Sequence, residues 1–383
     1  VFDFDRRFLK NLDVPILIIY VIITIIGLLA ISATTATSDS GFFTPKVQKQ
    51  IMWILISIVA LVIVACLDYN FFDQSAYLLY GLMILMLVAV FVFGTTIKGA
   101  KRWIIISGFS MQPSEFCKIL LVLSLARLLT RFWGKMDKFK SLFTIAVFVA
   151  LPTFLVYKQP DLGTSLIYVF IVIIMLFIAE IPWKYVFGAM IGAIALIPVA
   201  WQFMADYQRQ RILVFFDPQS DPFGSAYNVI QSKTAIGSGN WVHFSDTGEY
   251  VYRLFGKGLF ASDSMTGLKY IPEQNTDFIF SAIGEGFGFI GSVLVVLLLV
   301  VMVYRCFLIA IKAKNLYGAF VVGGLSAMFL FQVLVNIGMT MGLMPVTGLT
   351  LPFISAGGSS YLANSIALGI ILNIGMRHKK IQF

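Results

Sequence analysis

Ten stretches of this chain are each apolar for about twenty residues, the length of helix that crosses a hydrocarbon layer. They fall at residues 14–34, 48–67, 76–93, 114–129, 142–157, 162–179, 185–205, 277–304, 318–343 and 351–376. Hydrocarbon offers no water to backbone N–H and C=O groups, so each stretch has to close its own hydrogen bonds as a helix. The pattern predicts an all-α polytopic membrane protein of ten spans, one transmembrane domain over residues 1–383. Charged residues make up 12% of the chain, about half the share of a soluble domain. A soluble enzyme is thereby excluded. Nucleic-acid binding is a poor account of the net charge of +9, because Lys and Arg in such a chain set topology.

The basic residues orient the bundle. With the N-terminus inside, fifteen of the 28 Lys and Arg fall on inside segments, among them Arg6, Arg7, Lys10, Arg127, Arg131, Arg305 and Arg377. Six more lie in one long outside loop, where the rule has little force, and seven on short outside segments. Both termini are expected in the cytoplasm. No small-residue cleavage site follows Lys10, so the first stretch is expected to remain a span. Two outside segments exceed a turn. Residues 94–113 mix Lys98, Lys101, Arg102 and Trp103 with isoleucines, as a piece lying in the interface would. Residues 206–274, between spans seven and eight, are far more polar, and partial order on the membrane surface is expected there. Gly284, Gly286, Gly288 and Gly291 interrupt span eight, predicting a bend or a short broken helix beside a cavity.

The outer ends of the spans collect polar residues. Asp277 stands at the mouth of span eight, where a charge is costly and points to function; as the plainer alternative it caps that helix. Glu115 and Lys118 share a helical face at the start of span four, either in a cavity or as a self-contained ion pair. Asp161 precedes span six and is equally well read as a helix cap or as a ligand. Arg209 and Arg211 present two guanidinium forks suited to a lipid phosphate, or else anchor at headgroups. Gly357, Gly358, Ser359 and Ser360 open the last span, where small residues either pack helices or admit an anion.

Cys66, Cys117 and Cys306 match no metal or disulfide spacing, and His243 and His378 are solitary. No Walker loop, dinucleotide fingerprint or Ser-His-Asp pattern occurs, which leaves ATP-driven and hydrolase readings without support. Composition and spacing thus end at an outward polar cavity fit for an anionic, lipid-linked substrate, without separating an enzyme from a transporter.

The motifs taken together go further. Lys101-Arg-Trp103, Gln112-Pro-Ser-Glu115, Gln159-Pro-Asp-Leu-Gly-Thr-Ser165, Tyr207-Gln-Arg-Gln-Arg211, Gln231-Ser-Lys-Thr-Ala-Ile-Gly-Ser-Gly239, Pro272-Glu-Gln-Asn-Thr-Asp-Phe-Ile-Phe280 and Gly357-Gly-Ser-Ser360 occur in that order. Over essentially its whole length the chain resembles the SEDS family of bacterial cell-wall proteins, its elongation branch more than its division branch. The resemblance implies a peptidoglycan glycosyltransferase of the cytoplasmic (inner) membrane. Its substrate would be lipid II, an undecaprenyl-pyrophosphate-linked disaccharide-pentapeptide, polymerised on the outer face during elongation. It also implies a class B penicillin-binding protein as transpeptidase partner, other elongation-machinery membrane proteins, and a divalent cation, Mg²⁺ or Mn²⁺. By the same resemblance Asp277 is the catalytic position. Glu115, Lys118, Asp161, Arg102, Trp103, Arg209, Arg211, Lys233 and Ser359 would meet substrate, and Asp277, Asp161 and Glu115 would be candidate metal ligands. A lipid II flippase and a non-catalytic scaffold remain the competing readings.

Two departures from the family pattern stand out. Residues 240–253 form an insert before Leu254-Phe-Gly-Lys-Gly258. The family's usual His before Thr-Asp is Asn275, and its usual Glu-Glu pair is Glu285-Gly286, so no imidazole adjoins the aspartate. The expected mechanism has Asp277 take the proton of an acceptor hydroxyl, directly or through a metal ion. Arg209, Arg211 or Lys118 would hold the departing pyrophosphate.

Overall fold

The computed structural model describes residues 11–36, 41–97, 100–106, 109–204, 206–224, 226–239, 242–244, 250–252, 255–261 and 264–377. Arg6, Arg7 and Lys10, Lys98, most of the 240–253 insert, and His378 lie outside them. Ten long helices occupy the ten expected positions. They are α1 (Val14–Thr35), α2 (Pro45–Cys66), α4 (Ala76–Phe93), α5 (Pro113–Phe132), α6 (Phe139–Lys158), α7 (Leu162–Ile178), α8 (Trp183–Phe203), α11 (Ile279–Ile311), α12 (Leu316–Thr340) and α13 (Gly358–Met376). Seven of these are both long and apolar enough to span a membrane. Of the others, α5 carries Glu115, Lys118, Arg127 and Arg131, and α7 has 17 residues. A single short helix, α3 (Tyr69–Gln74), joins α2 to α4.

Burial sorts the helices into layers. α12 and α13 are wrapped on nearly all sides, while α2 and α4 bury only the face turned inward. A side chain surrounded by lipid gains nothing by being apolar over its neighbours, so small residues decide how closely central helices pack. Gly358 lies against Trp53 of α2 so closely that a Cβ there would stand 2.1 Å from the indole ring. Around Phe353 an aromatic cluster joins α1, α12 and α13, with Tyr20 at 5.1 Å edge-on, Phe329 at 5.6 Å and Tyr361 at 5.9 Å between ring centres.

The expected break in span eight is present. Gly288 has φ 68° and ψ −163° inside α11, a conformation open to glycine, and the helix kinks there. The amides of Lys257 and Gly258 donate to the carbonyls of Glu285 and Gly286 just before the kink, so the loop holds the bent segment. The span itself starts later and runs further than 277–304, and the last span starts at Gly358 because residues 351–357 form turns.

The described residues of the 94–113 segment form a three-stranded sheet. Strands β1 (Thr95–Ile97), β2 (Ala100–Ile106) and β3 (Phe109–Met111) pair antiparallel in chain order, with Thr95 opposite Trp103 and Ile104 opposite Met111. β-branched isoleucines and threonines suit strands, and strand pairing satisfies the backbone where a helix does not form. In the long loop, α9 (Asp206–Phe216) and α10 (Tyr227–Ser238) supply the expected partial order, and strands β4 (Val242–Phe244) and β5 (Tyr250–Tyr252) form a hairpin within the insert.

Opposite this sheet, at the end where the charge rule places the cytoplasm, arginines find aspartates. Arg305 of α11 forks onto Asp13 at 2.9 and 3.0 Å, Arg127 meets Asp73 at 3.1 Å, and Arg377 meets Asp68 at 3.5 Å.

Candidate active site

Helices α5, α7, α11 and α13 begin around one cavity of about 680 Å³. Their N-terminal ends carry partial positive charge and unpaired amides, which favours anions and carboxylates there. Glu115, Asp161, Glu273 and Asp277 line it together with Arg102 and Arg211. These six residues come from five parts of the chain and line one cavity.

Asp277 is half-buried in the turn before α11. It does not cap that helix: Phe278 holds the N-cap position, without a side-chain capping bond. Its backbone is fixed instead. Asn336 of α12 donates from Nδ2 to the Asp277 carbonyl at 2.9 Å and to the Leu349 carbonyl at 2.6 Å. Ser355 Oγ donates to the Thr276 carbonyl at 2.6 Å, and the Ala356 amide to the Asn275 carbonyl at 2.8 Å. Two straps, residues 274–278 and 349–356, are thus laced side by side, which aims Asp277 at the cavity.

Asp161 is buried and heavily bonded. Its Oδ2 accepts from Gln112 Nε2 at 2.8 Å, Thr164 Oγ1 at 2.9 Å and Ser114 Oγ at 3.3 Å, and its Oδ1 from the Thr164 amide at 3.2 Å. The capping reading holds, therefore, and the same carboxylate faces Arg102 Nη1 at 3.6 Å. Arg102 and Trp103 both reach the cavity from β2, and the Arg102 Nε is buried without a hydrogen-bond partner.

Several expected ligands are placed otherwise. Lys118 is fully buried, bonds Glu115 at 2.8 Å and does not line the cavity, so the ion-pair reading describes it. Arg209 donates to the carbonyls of Trp201 and Gln202 at 3.0 and 2.9 Å, tying α9 to the last turn of α8, and it also lies off the cavity. Ser359 lines the cavity, but its hydroxyl accepts from the Gln112 amide and donates to the Ser110 carbonyl, both at 3.2 Å, docking β3 on α13. Lys233 is exposed on α10 and lines a neighbouring pocket. Arg211 donates to the Val346 carbonyl at 3.1 Å and borders both spaces.

Asp277, Asp161 and Glu115 do not make a three-carboxylate metal centre. Among the described residues no three Asp, Glu, His or Cys groups converge to hold an ion. Asp161 accepts from four donors, and Glu115 pairs with Lys118 through Oε2.

The sequence assigned no role to Asn336, Trp53 or Glu273, and marked Glu285 only as a departure from the family's Glu-Glu pair. Trp53 and Glu273 line the cavity. Glu285 has no solvent exposure and accepts from the Met265 and Thr266 amides at 2.8 and 2.9 Å, Thr266 Oγ1 at 2.7 Å, Lys257 Nζ at 3.1 Å and Ser238 Oγ at 3.2 Å. A carboxylate and an amide inside spans eight and nine were visible as costly polar groups; their partners, from other parts of the chain, were not.

A bundle of membrane-length helices with a charged cavity at the end where four of them start defines a polytopic membrane protein with a polar site at one end of its spans. The chain belongs to the FtsW/RodA/SpoVE family of cell cycle proteins, which matches residues 13–380. It is 35% identical over 362 residues to the peptidoglycan glycosyltransferase MrdB of Escherichia coli K12, covering 94% of each chain. It is also 35% identical over 371 residues to the stage V sporulation protein E of Bacillus subtilis strain 168, covering 94% of this chain and 96% of that one. A chain in the solved structure of a peptidoglycan synthase complex superposes with a TM-score of 0.80 at 28% identity, over 96% of this chain and 98% of the other. Membership of the family and its multi-pass membrane character are settled. Equal identity to MrdB and to the sporulation protein does not separate the family's branches.

Proposed function

We propose that the protein is a peptidoglycan glycosyltransferase that polymerises lipid II at the outer face of the inner membrane, in the elongation branch of its family. The observation that carries this reading is the meeting of Asp277, Arg102, Glu115 and Asp161, from four separated motifs, in one cavity. Glycosyl transfer needs a base on the acceptor hydroxyl and charge neutralisation on the leaving group. Asp277 takes the proton of the acceptor 4-hydroxyl. That oxygen attacks the donor anomeric carbon, the bond from that carbon to the diphosphate oxygen breaks, and its electron pair leaves with the polyprenyl diphosphate. One such displacement inverts the anomeric centre, so no covalent enzyme intermediate is needed. Arg211 borders the cavity where the diphosphate departs, and guanidinium forks match phosphate oxygens.

If a Mg²⁺ or Mn²⁺ ion takes part, Asp277 is the carboxylate that would hold it, and the ion would supply neutralisation of the diphosphate charge. A class B penicillin-binding protein is the expected cross-linking partner, in line with the synthase complex whose chain superposes on this one.

A flippase would need charged groups along the full membrane depth, whereas this cavity draws its charges from one end of the bundle. Purified protein is given labelled lipid II with Mg²⁺ or Mn²⁺. Polymer supports the enzyme, leaflet exchange without polymer the flippase, and neither the scaffold. Asp277→Asn is expected to lower polymer formation by about 10²-fold or more; an unchanged rate would remove Asp277 from the base role.

A further inference from the structure

At the cytoplasmic end of the bundle, the turns from α5 to α6 and from α7 to α8 carry Arg131, Lys135, Lys138, Lys140 and Lys184, all exposed. Asp137 and Glu180 are the carboxylates on these turns, residues 131–140 and 179–185, and neither pairs with a cation among the described residues. Arg127, Arg305 and Arg377 at the same end each have an aspartate, so internal neutralisation is available there and is not used for these five. Lys138 and Lys140 open α6, and Lys184 opens α8, where the helix dipole disfavours a cation. The two turns are held together. Tyr185 Oη donates to the Asp137 carbonyl at 2.6 Å, Met136 is buried, and Trp133 packs on Phe320 with ring centres 5.7 Å apart.

Aromatic side chains stand beside the cations. Phe139 is 77% exposed and Trp183 61%. Phe143 lies 6.0 Å from Phe139, and Phe187 6.1 Å from Trp183, each one turn further into its helix. Cations, then aromatic rings, then apolar side chains is the order in which a helix end meets headgroups and hydrocarbon. A soluble anion would call for the cations alone. We propose that this surface binds anionic phospholipids of the cytoplasmic leaflet: Lys135, Lys138, Lys140 and Lys184 take the phosphates, and Phe139 and Trp183 seat at the level of the glycerol. Charge complementarity selects a lipid with net negative charge over a zwitterionic one.

The test titrates full-chain protein in detergent with phosphatidylglycerol or phosphatidylcholine and counts bound lipid by native mass spectrometry. Phosphatidylglycerol is expected to bind more tightly. Lys138→Gln and Lys184→Gln are each expected to weaken its binding about fivefold, the scale of one cation at an anionic surface. Adding Lys135→Gln and Lys140→Gln is expected to weaken it further, and arginine at all four positions to restore it. Lys312→Gln with Lys314→Gln, which removes two exposed cations elsewhere at this end, is expected to leave binding unchanged. Unchanged affinity in the fourfold glutamine variant overturns the assignment, and where that variant melts lower, the single variants decide. An equal loss from the Lys312 and Lys314 changes overturns it in favour of diffuse charge. Equal binding of phosphatidylcholine overturns the preference for anionic lipid. Displacement by glycerophosphoglycerol, the headgroup without its chains, at equal concentration overturns the membrane assignment in favour of a soluble anion.

Discussion

Asn336 of α12 gives one amide nitrogen to two carbonyls, those of Asp277 at 2.9 Å and Leu349 at 2.6 Å, while its own Oδ1 is buried without a partner. A buried amide with one unsatisfied end costs stability, so its position is best explained by what its donors hold. It fixes the backbone beside the proposed base. Asn336→Leu keeps the volume and removes both bonds. Polymerisation is expected to fall about 10- to 100-fold, the effect of a misplaced catalytic group. Asn336→Asp, which sets an acceptor against two carbonyls, is expected to be worse in both rate and melting temperature. Equal activity of Asn336→Leu and wild type, at matched folding, removes the positioning role.

Glu285 organises the loop as Asn336 organises the strap. Five donors from α10, the Lys257 segment and residues 265–266 converge on a carboxylate without solvent exposure. Breaking a buried, bonded charge typically costs about 3–5 kcal/mol. Glu285→Gln turns an NH₂ group toward donors, and a loss in that range is expected, read as a lowered melting temperature in detergent. Limited proteolysis is expected to cut first within residues 255–274. If cleavage there is no faster than in wild type, Glu285 is not what docks the loop.

Much of this architecture was legible from the order of apolar runs, because a span in hydrocarbon has few alternatives to a helix. The Gly288 kink was legible too, since four glycines in one span mark a helix that cannot stay straight. The sheet of β1 to β3 was less so: its strands are short, and Lys101-Arg-Trp103 read as charge at an interface rather than as a strand edge. Of the site, Asp277 and Asp161 stood out because charge at a span's mouth is costly, and the structure sets both in one wall. Lys118 stood out as a charge at the start of a span and Arg209 as one of two guanidinium forks, yet a charge can satisfy itself locally. Lys118 does so with Glu115 and Arg209 with α8 carbonyls. Spacing shows which groups are expensive; only tertiary contacts show where each is neutralised.

Gly358 is a further point where packing sets the cavity's shape. A Cβ there would stand 2.1 Å from Trp53 Cε2 and 2.3 Å from Nε1, so the indole has to move for any larger residue. Trp53 lines the cavity. Overpacking of this kind costs about 1–3 kcal/mol. Gly358→Ala is expected to lose activity and to shift the Trp53 contribution to fluorescence. Trp53→Ala in the same chain is expected to recover part of the stability, a coupling that a double-mutant cycle reads directly. Strict additivity of the two changes would rule the contact out as the cause.

Arg102 and Asp161 link the sheet to α7 at 3.6 Å, and the two replacements of Asp161 separate its capping from its charge. Asparagine caps about as well as aspartate, whereas alanine forfeits about 1 kcal/mol of cap and strands the donors of Gln112, Ser114 and Thr164. Both oxygens of Asp161 accept, so the amide of Asp161→Asn turns its NH₂ group toward at least one donor; that variant is expected to melt below wild type, and Asp161→Ala several degrees lower still. Activity is expected to follow a different order. Asp161→Asn leaves Arg102 without its anionic neighbour, so KM for lipid II should change more than kcat when Arg102 binds the substrate. Arg102→Lys, which keeps the charge and loses the fork, is expected to raise KM as well. Steady-state rates over a range of lipid II, set beside melting curves for all three variants, check both orders. A drop in kcat at constant KM would place Arg102 at the reacting centre instead of at the substrate's anionic group.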